Sequence, residues 1–438
     1  NHANDCQCFM RKDWSVSSEL CAVAWEYIMP RVFSTALLLG QLLVESSQLV
    51  LVQFVAKMSH FRSLSRLLVF LLLLVCGDVS TAKDKGEPAT WPAAEWGKAG
   101  VPADLMKNLP VIANLQPGDD VQTAIDAAPV SGGVIFLTPG DYLLTAALRL
   151  RSHMVLRGRD RVRTRLVIQM RSLRPDIPIA EDSSLWTSGI RFDALEESGL
   201  EELTIVFDPT LPPPMKLSLG SAAFKDDPGD QKDLHVVSLC IDAARNCWIT
   251  KCLIQNSGTC PLVIANSQNI LVEEVIFEGA YNRGEGSGIC ILSRSTYTRF
   301  EKVKMGEINS FVLMSSSDGP DCRYNVISAS SFEIDVRVHG QGTMDNLIEN
   351  TEIALANWLD RTPLSPGNVN AREVPPGPGN LVYLCTITRD FGIGRRAFSM
   401  ADNPSMIYEV IETRARDRES SVAVFAPAPP VGSLIDSP

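Results

Sequence analysis

From residue 240 onward, polar and hydrophobic positions alternate in short runs, and a polar or turn residue precedes each run. Alternation of this kind predicts β-strands with one buried face. The runs begin at intervals of 23, 28, 24, 24, 34 and 25 residues. Such a period, with such short strands, indicates a solenoid whose coils bury a shared core only by stacking on one another. The runs begin at Asn246, Asn269, Tyr297, Asp321, Asp345, Gly379 and Pro404.

The content of the repeats decides between two kinds of solenoid. A leucine-rich repeat would place Leu at fixed offsets around a central Asn, and this sequence does not. Short β-rich segments without helical stretches between them favour an all-β fold, a single-stranded right-handed parallel β-helix. Where coils repeat directly above one another, Asn and aliphatic side chains at equivalent positions are expected to stack.

The segment before the repeats has the features of a solenoid's N-terminal end. Residues 119–129 begin with two Asp residues, carry Val121 and Ile125 on one face and end at a Pro, which predicts a short amphipathic helix. Because exposed strand edges invite association, we expect this helix to cap the end of the solenoid. Residues 132–142, GGVIFLTPGDY, then predict a buried strand and a tight turn.

This opening resembles that of the pectate lyase-like superfamily of β-helix proteins. A helix, a Gly-Gly-hydrophobic strand and the Pro-Gly-x-Tyr turn occur in the same order there, and Leu156 to Gly158 resembles the next turn. The resemblance covers residues 110–425 and implies the fold rather than an activity, because the superfamily includes lyases, glycoside hydrolases, epimerases and non-catalytic spikes. Residues 171–196 and 209–233 depart from the pattern by lengthening the spacing between early coils. We interpret the second stretch as a projecting loop.

Composition narrows the possible partners and cofactors. With 40 Lys and Arg against 51 Asp and Glu, the net charge is −11, which argues against nucleic acid as a partner. The seven cysteines from residue 240 onward are odd in number and contain no CxxC pair, so we expect neither a disulfide framework nor a zinc site and interpret them as core residues. They are Cys240, Cys247, Cys252, Cys260, Cys290, Cys322 and Cys385.

The first 82 residues differ from the rest and lie outside the predicted fold. Residues 61–82 combine two Arg, an apolar run and a small-residue end, the pattern of a secretory signal peptide, so we expect a secreted or periplasmic protein with no membrane segment after cleavage. Met58 lies where such a signal would start, although residues 34–56 are apolar enough for a membrane segment. The predicted organisation is 1–57 upstream sequence or an unstructured or membrane extension, 58–82 signal peptide, 83–109 N-terminal extension, 110–425 β-helix and 426–438 flexible C-terminal tail.

The strongest candidate site lies in residues 333–340, EIDVRVHG, where polar and apolar residues alternate without a break. In a strand, Asp335, Arg337 and His339 share one face, which a β-helix turns outward. Cleavage of a polysaccharide by β-elimination needs a cation near the uronate carboxylate, a base for the C5 proton and an acid for the leaving oxygen. Arg337 and His339 could supply parts of that set, and a solvated outer face is the alternative interpretation.

Neighbouring coils offer further candidates for substrate binding. Asp318 and Asp321 could be the paired carboxylates of a glycosidase, calcium ligands, or simply turn residues. Trp358 could stack on a sugar ring or cap the core. The predicted substrate-binding residues are Arg283, Glu285, Asp318, Asp321 and Trp358.

Three classes of function remain open at this point. The first is a polysaccharide-degrading enzyme, a β-eliminating lyase acting on an anionic polysaccharide before a glycoside hydrolase. The second is a carbohydrate-binding or adhesive solenoid without catalysis, and the third is an epimerase or accessory surface protein. The pattern requires no metal or other cofactor, although Ca²⁺ would fit a lyase, and it leaves the oligomeric state open.

Overall fold

The computed structural model describes residues 91–214, 232–284, 286–315, 321–356, 359, 363–365, 374–389, 406–414 and 420–424. These residues belong to one compact unit, Ala89–Pro438. They form a right-handed parallel β-helix, which confirms the predicted fold class. The predicted segments 1–57, 58–82 and 426–438 lie outside the described residues.

Three parallel sheets run along the solenoid, and each full coil contributes one strand to each of them. Sheet 1 contains β1 (Val111–Leu115), β2 (Gly133–Leu137), β5 (Met154–Gly158), β8 (Gly199–Glu201), β11 (Arg245–Thr250), β14 (Gln268–Glu273), β17 (Arg299–Glu301), β21 (Val326–Ser328), β25 (Leu347–Glu349) and β29 (Met406–Arg414). Sheet 2 contains β3 (Gly140–Leu144), β6 (Thr164–Ile168), β9 (Thr204–Phe207), β12 (Leu253–Ser257), β15 (Ile276–Ala280), β18 (Lys304–Gly306), β22 (Ser331–Phe332) and β26 (Glu352–Ala354). Sheet 3 contains β4 (Leu148–Arg149), β7 (Ser188–Asp193), β10 (Val237–Asp242), β13 (Leu262–Ala265), β16 (Ile289–Ser293), β19 (Ser310–Met314), β23 (Asp335–His339) and β27 (Leu364–Ser365).

A few elements stand outside this scheme. Strand β28 (Asn380–Arg389) is long enough to pair in both sheet 1 and sheet 2, and β30 (Ser420–Val424) pairs antiparallel with β29. Strands β20 (Cys322–Arg323) and β24 (Thr343–Met344) pair at the corner between sheets 3 and 1. The described helices are α1 (Ala93–Trp96), α2 (Val121–Ala127) and one 3-10 turn (Ser183–Leu185).

Helix α2 caps the N-terminal end of the solenoid, as predicted. The Asp120 side chain accepts a hydrogen bond from the Thr123 N–H and caps the helix, and its pKa is lowered by that bond. Val121 and Ile125 are buried in the main core. The helix ends at Ala127, two residues before the Pro. The helix therefore covers the core at the N-terminal end of the solenoid, and it offers no strand edge to which a further β-strand could pair.

The Pro-Gly-x-Tyr turn has a physical reason at each position. The Tyr142 ring is buried, and its hydroxyl donates to the carbonyl of Leu115 at 2.8 Å. Gly140 has a φ of 142°, and a Cβ there would lie 2.2 Å from the ring of Pro117. Only glycine fits such a close approach.

The core is a continuous column of inward-facing side chains from all three sheets. Within it, the Phe311 ring contacts Phe300 in a tilted arrangement and Phe332 edge to face, with ring centroids 4.9 and 5.8 Å apart. At the corner leading into sheet 1, Asn346 donates to Asn380 at 2.9 Å and Asn325 donates to Asn346 at 3.0 Å. The predicted stacking of Asn side chains is confirmed.

The seven cysteines from residue 240 onward are all free and buried, which confirms their interpretation as core residues. Burial raises the pKa of Cys240 and Cys260 to about 11 and that of Cys247 to about 12. The buried S–H groups are not orphaned, since Cys247 and Cys385 donate to carbonyls of the preceding coil. Such thiols are protonated and inert at neutral pH.

Two segments cover outer faces of the solenoid. Residues 91–109, which we call the strap, lie over sheet 1. Residues 171–187, which we call the cover loop, lie over the middle of sheet 3 with Ile179 and Trp186 packed on Val263 and Ile291. Sheet 3 is therefore covered in its middle coils.

Candidate functional site

The candidate strand β23 lies near the C-terminal end of sheet 3, beyond the cover loop. Val336 and Val338 point into the core and are buried, while Asp335, Arg337 and His339 alternate with them on the outer face. The strand pairs with β19 on one side and β27 on the other. The alternation in the sequence thus places these three residues as expected.

Asp335 faces outward but is covered, with only 1% of its surface exposed. Its Oδ1 accepts a hydrogen bond from the Ser310 hydroxyl at 2.9 Å, and its Oδ2 accepts from Arg337 Nε at 2.7 Å. The Arg337 side chain remains 31% exposed. The carboxylate therefore holds the guanidinium in place. Asp335 therefore lies on the outward face as predicted but is not accessible as a catalytic acid.

His339 is half-buried and pairs in register with Met314 on the neighbouring strand. The chain turns directly after it, at Gly340, which has a φ of 90° and whose Cβ would meet the Ser315 carbonyl at 2.4 Å. Its own carbonyl accepts a hydrogen bond from the Thr343 hydroxyl at 2.7 Å. The imidazole is thus attached to a fixed turn at the carboxyl edge of sheet 3.

Asp321 lies beside that turn. A Cβ on Gly342 would be 3.0 Å from Asp321 Oδ1, which places the carboxylate against residues 340–342. The same carboxylate lies 3.3 Å from Arg323 Nη1, and the Arg323 guanidinium also reaches Asp345. The structure therefore brings Asp321 to the edge of the predicted site as half of an ion pair.

Arg283 lies at the other end of the strands, in the turn that leads into β16. It is buried, its Nη1 donates to the Glu307 carbonyl at 3.3 Å, and the Glu307 carboxylate is 3.8 Å away. Arg283 and Asp321 thus flank opposite ends of the strands of sheet 3. The other three predicted binding residues, Glu285, Asp318 and Trp358, lie outside the described residues.

A second polar cluster on sheet 3 was not predicted. Arg149, Arg191, Asp193 and Asp242 come from β4, β7 and β10, and they line a groove of about 590 Å³ between sheet 3 and the cover loop. Asp193 and Asp242 are direct neighbours across the β7–β10 pair. The remaining lining residues are Ala147, Ser184, Trp186, Thr187, Ser188, Ala194 and Ala243.

The charges of this cluster are matched within it. Arg149 and Arg191 both contact the Asp193 carboxylate, at 3.0 and 2.8 Å. Burial is the largest single effect on the pKa of Arg191 and lowers it, but the hydrogen bond to Asp193 and the nearby negative charges, including Asp193 and Asp242, together raise it. Asp242 accepts from the Ser183 hydroxyl and from the Asn266 amide, each at 2.8 Å. Positive and negative groups are thus fixed side by side in the groove.

The sequence contained a signal for this cluster. Arg191, Phe192 and Asp193 show the same polar–apolar–polar alternation as Asp335 to Arg337. The departure of residues 171–196 from the coil spacing hides this signal, because it lengthens the interval between early coils. In the structure only the first part of that stretch is the cover loop, and its end is strand β7.

Neither a metal site nor a membrane span emerges from the described ranges. Within them, no group of three or more His, Cys, Asp and Glu side chains is placed to bind a metal ion. The described helices are all too short or too polar to cross a bilayer.

Comparison with known proteins extends only to the fold. No protein-family model matches the chain, and no curated protein matches its sequence. Among solved structures, the polygalacturonase of Erwinia carotovora ssp. carotovora is similar at 11% identity and a TM-score of 0.44, over 70% of this chain and 87% of that one. The Yersinia enterocolitica family 28 exopolygalacturonase is similar at 14% identity and a TM-score of 0.41, over 70% and 65%.

A third similar structure is the catalytic domain of a GH87 α-1,3-glucanase in complex with tetrasaccharides, at 14% identity and a TM-score of 0.48. The match covers 69% of this chain and about half, 54%, of the glucanase chain. The fold that the resemblance implies, a parallel β-helix, is confirmed by the structure itself. At these identities the likenesses concern the fold alone, so the chemistry rests on the geometry above.

Proposed function

We propose that the protein is a secreted, carbohydrate-active enzyme that cleaves an anionic polysaccharide by β-elimination on the outer face of β23. The observation that carries the proposal is the pair formed by Asp335 and Arg337. Burying a carboxylate costs free energy, and this one holds a guanidinium that stays 31% exposed. A buried acid used to fix an exposed cation indicates that the direction of the cation matters for a ligand.

The chemistry follows from the order of residues along the strand. The Arg337 guanidinium, 31% exposed, binds the carboxylate of a uronate residue, a group that planar guanidinium groups bind well. His339 lies two residues further, about 6.6 Å along the strand, and takes the proton from C5. The C4–oxygen bond then breaks, a C4–C5 double bond forms, and the departing oxygen takes a proton from solvent.

The proposal is tested by screening uronate-containing and sulfated polysaccharides for two products. A lyase creates the ultraviolet absorbance of an unsaturated uronate together with new reducing ends. Reducing ends without that absorbance would indicate a glycoside hydrolase instead, and binding without either product would indicate a non-catalytic carbohydrate-binding solenoid.

On the polymer that is cleaved, His339→Ala should lower the rate at least about 100-fold, since loss of a general base has effects of that size. Arg337→Lys keeps the charge but loses the guanidinium fork, and it should mainly raise KM. Arg165→Ala is the matched control, because Arg165 is also half-exposed and paired with a carboxylate, Asp141, but lies on sheet 2. Full activity in both site variants would refute the placement.

A further inference from the structure

The groove beneath the cover loop lies on the same outer face of sheet 3 as β23. Five strand steps separate β7 from β23, or about 24 Å at the spacing of neighbouring strands. The cover loop lies between the two places, because the Ala180 carbonyl accepts a hydrogen bond from Arg294 at 2.7 Å over the middle coils. The groove is therefore a separate site from β23.

Its volume of about 590 Å³ falls in the range of small-molecule sites. Its walls offer hydrogen-bonding groups of both kinds. Guanidinium donors and carboxylate acceptors line the same space, and three alanines add small apolar surfaces. Ser184, Thr187 and Ser188 also line it, with hydroxyls that donate to Asp182, to Ser172 and to the Trp186 carbonyl. Walls of this composition suit a ligand with many hydroxyl groups and apolar C–H faces.

The internal charge pairing indicates that this ligand is uncharged. Each guanidinium of the groove is already bound to Asp193, so an anionic ligand would have to compete with a fixed carboxylate. A cationic ligand would meet the two arginines. Hydroxyl groups can instead accept from Arg149 and donate to the carboxylates without breaking either pair.

We propose that this groove is a second carbohydrate-binding site that takes an uncharged sugar residue. The choice of a sugar rests on the proposed function, whereas the absence of charge on the ligand follows from the groove itself. The site binds an uncharged residue of a polymer that also contains uronate residues, away from the strand at which the uronate is cleaved. Its hydrogen-bonding groups are held by their own pairs before the ligand arrives. Such fixed groups lower the free-energy cost of binding.

The test is calorimetric titration of the intact protein with four uncharged trisaccharides: cellotriose, xylotriose, mannotriose and galactotriose. Trigalacturonate serves as the charged comparison. At least one uncharged trisaccharide should bind the wild-type protein. Ser184→Trp, which places an indole in the groove, should weaken that binding at least tenfold.

Leu185→Trp is the matched control, because Leu185 is the next residue, is 51% exposed and does not line the groove. It should bind as the wild type does, and both variants should keep the wild-type melting temperature. No binding by any uncharged trisaccharide, or equal binding by the Ser184 variant, would overturn the proposal. His339→Ala should bind the trisaccharide as the wild type does, because His339 lies outside the groove. If the wild type binds a trisaccharide in the groove but cleaves no polysaccharide, only the proposed function is refuted.

Discussion

Asp335 is a buried acid on the outward face of a strand, and it governs what a change at Arg337 does to the protein. From the alternation alone, Arg337 and His339 should both be replaceable without cost to folding. The structure changes that expectation for Arg337, because removing the guanidinium takes away the 2.7 Å ion pair of a carboxylate that is only 1% exposed. Removing one partner of a buried ion pair is strongly destabilising.

We therefore expect Arg337→Ala to lower the free energy of unfolding by about 3 kcal/mol, near the lower end for a broken buried pair because Arg337 is partly exposed. The double variant Asp335→Ala with Arg337→Ala removes both charges and should regain at least half of that loss. Urea unfolding of the two single variants, the double variant and the wild type measures this. A double variant as unstable as the sum of the singles would show that the pair is not coupled.

At this scale, the sequence predicts which way a side chain points but not what covers it. Asp335 is covered because Ser310 lies beside it, 25 residues earlier in the chain, and that pairing depends on the register between β19 and β23. Arg191 and Asp193 had the same signal as Asp335 and Arg337. Arg149, which pairs with Asp193, lies on the preceding strand of sheet 3, 42 residues before Arg191. The cover loop lies between them in the chain, and the sequence does not show its path.

At the scale of elements, the strap is the least expected part of the fold. Its C-terminal part, with Val101, Met106 and Leu109, packs on the early coils, while Trp96 packs on the late ones and donates from its indole to the Asp345 carbonyl at 2.7 Å. Near its middle, the Gly100 N–H donates to the Tyr297 carbonyl. The strap therefore runs along the solenoid and holds many coils at once.

A tyrosine–glutamate contact ties the strap to the corner of the solenoid. The Tyr297 hydroxyl donates to Glu95 at 2.6 Å. That bond raises the pKa of Tyr297 to about 12, and the pKa of Glu95 is lowered by its bonds from Lys98 and Tyr297. A raised tyrosine pKa stabilises the fold below the ordinary value of 10 and loses that effect as the pH rises toward 12. The lowered glutamate pKa stabilises the fold above 4.5 and loses its effect as the pH falls.

Tyr297→Phe should accordingly lower the melting temperature most between about pH 5 and pH 10, the window given by those two shifts. The difference from the wild type should shrink on either side of that window. Both side chains are only partly buried, so the effect should be small. Melting curves from pH 4 to pH 11 measure it, with Tyr281→Phe as control because the Tyr281 hydroxyl donates to the Pro212 carbonyl and not to a carboxylate. A pH-independent difference would contradict this role of the pair.

At the scale of the whole molecule, the solenoid was predictable and the strap was not, for one physical reason. Contacts between neighbouring coils repeat at a fixed spacing, and that repeat is visible as alternation in the sequence. The strap contains no alternating run, and its Trp96 meets Asp345 at a separation of 249 residues. The sequence therefore separates residues 83–109 from the repeats as an extension. It does not show that residues 91–109 pack on sheet 1.

The strap should make the solenoid unfold as one unit. Coils of a solenoid contact only their neighbours, so distant coils are coupled weakly unless another element joins them. The strap buries Trp96 against Val326, Leu347 and Leu381 in the late coils and continues to the early ones. A protein that begins at residue 110 should unfold in urea with a broader or two-step transition. It should also bind a hydrophobic dye, because the apolar residues of sheet 1 that the strap covers become exposed.

The companion variant for this prediction is Trp96→Ala in the intact chain. Replacing a fully buried Trp by Ala costs about 3–5 kcal/mol, but the rest of the strap stays in place. Its transition should therefore move to lower urea and remain single. If the shortened protein also unfolds in a single transition with an unchanged slope, the coils are coupled through their own stacking. The strap would then add stability without adding cooperativity.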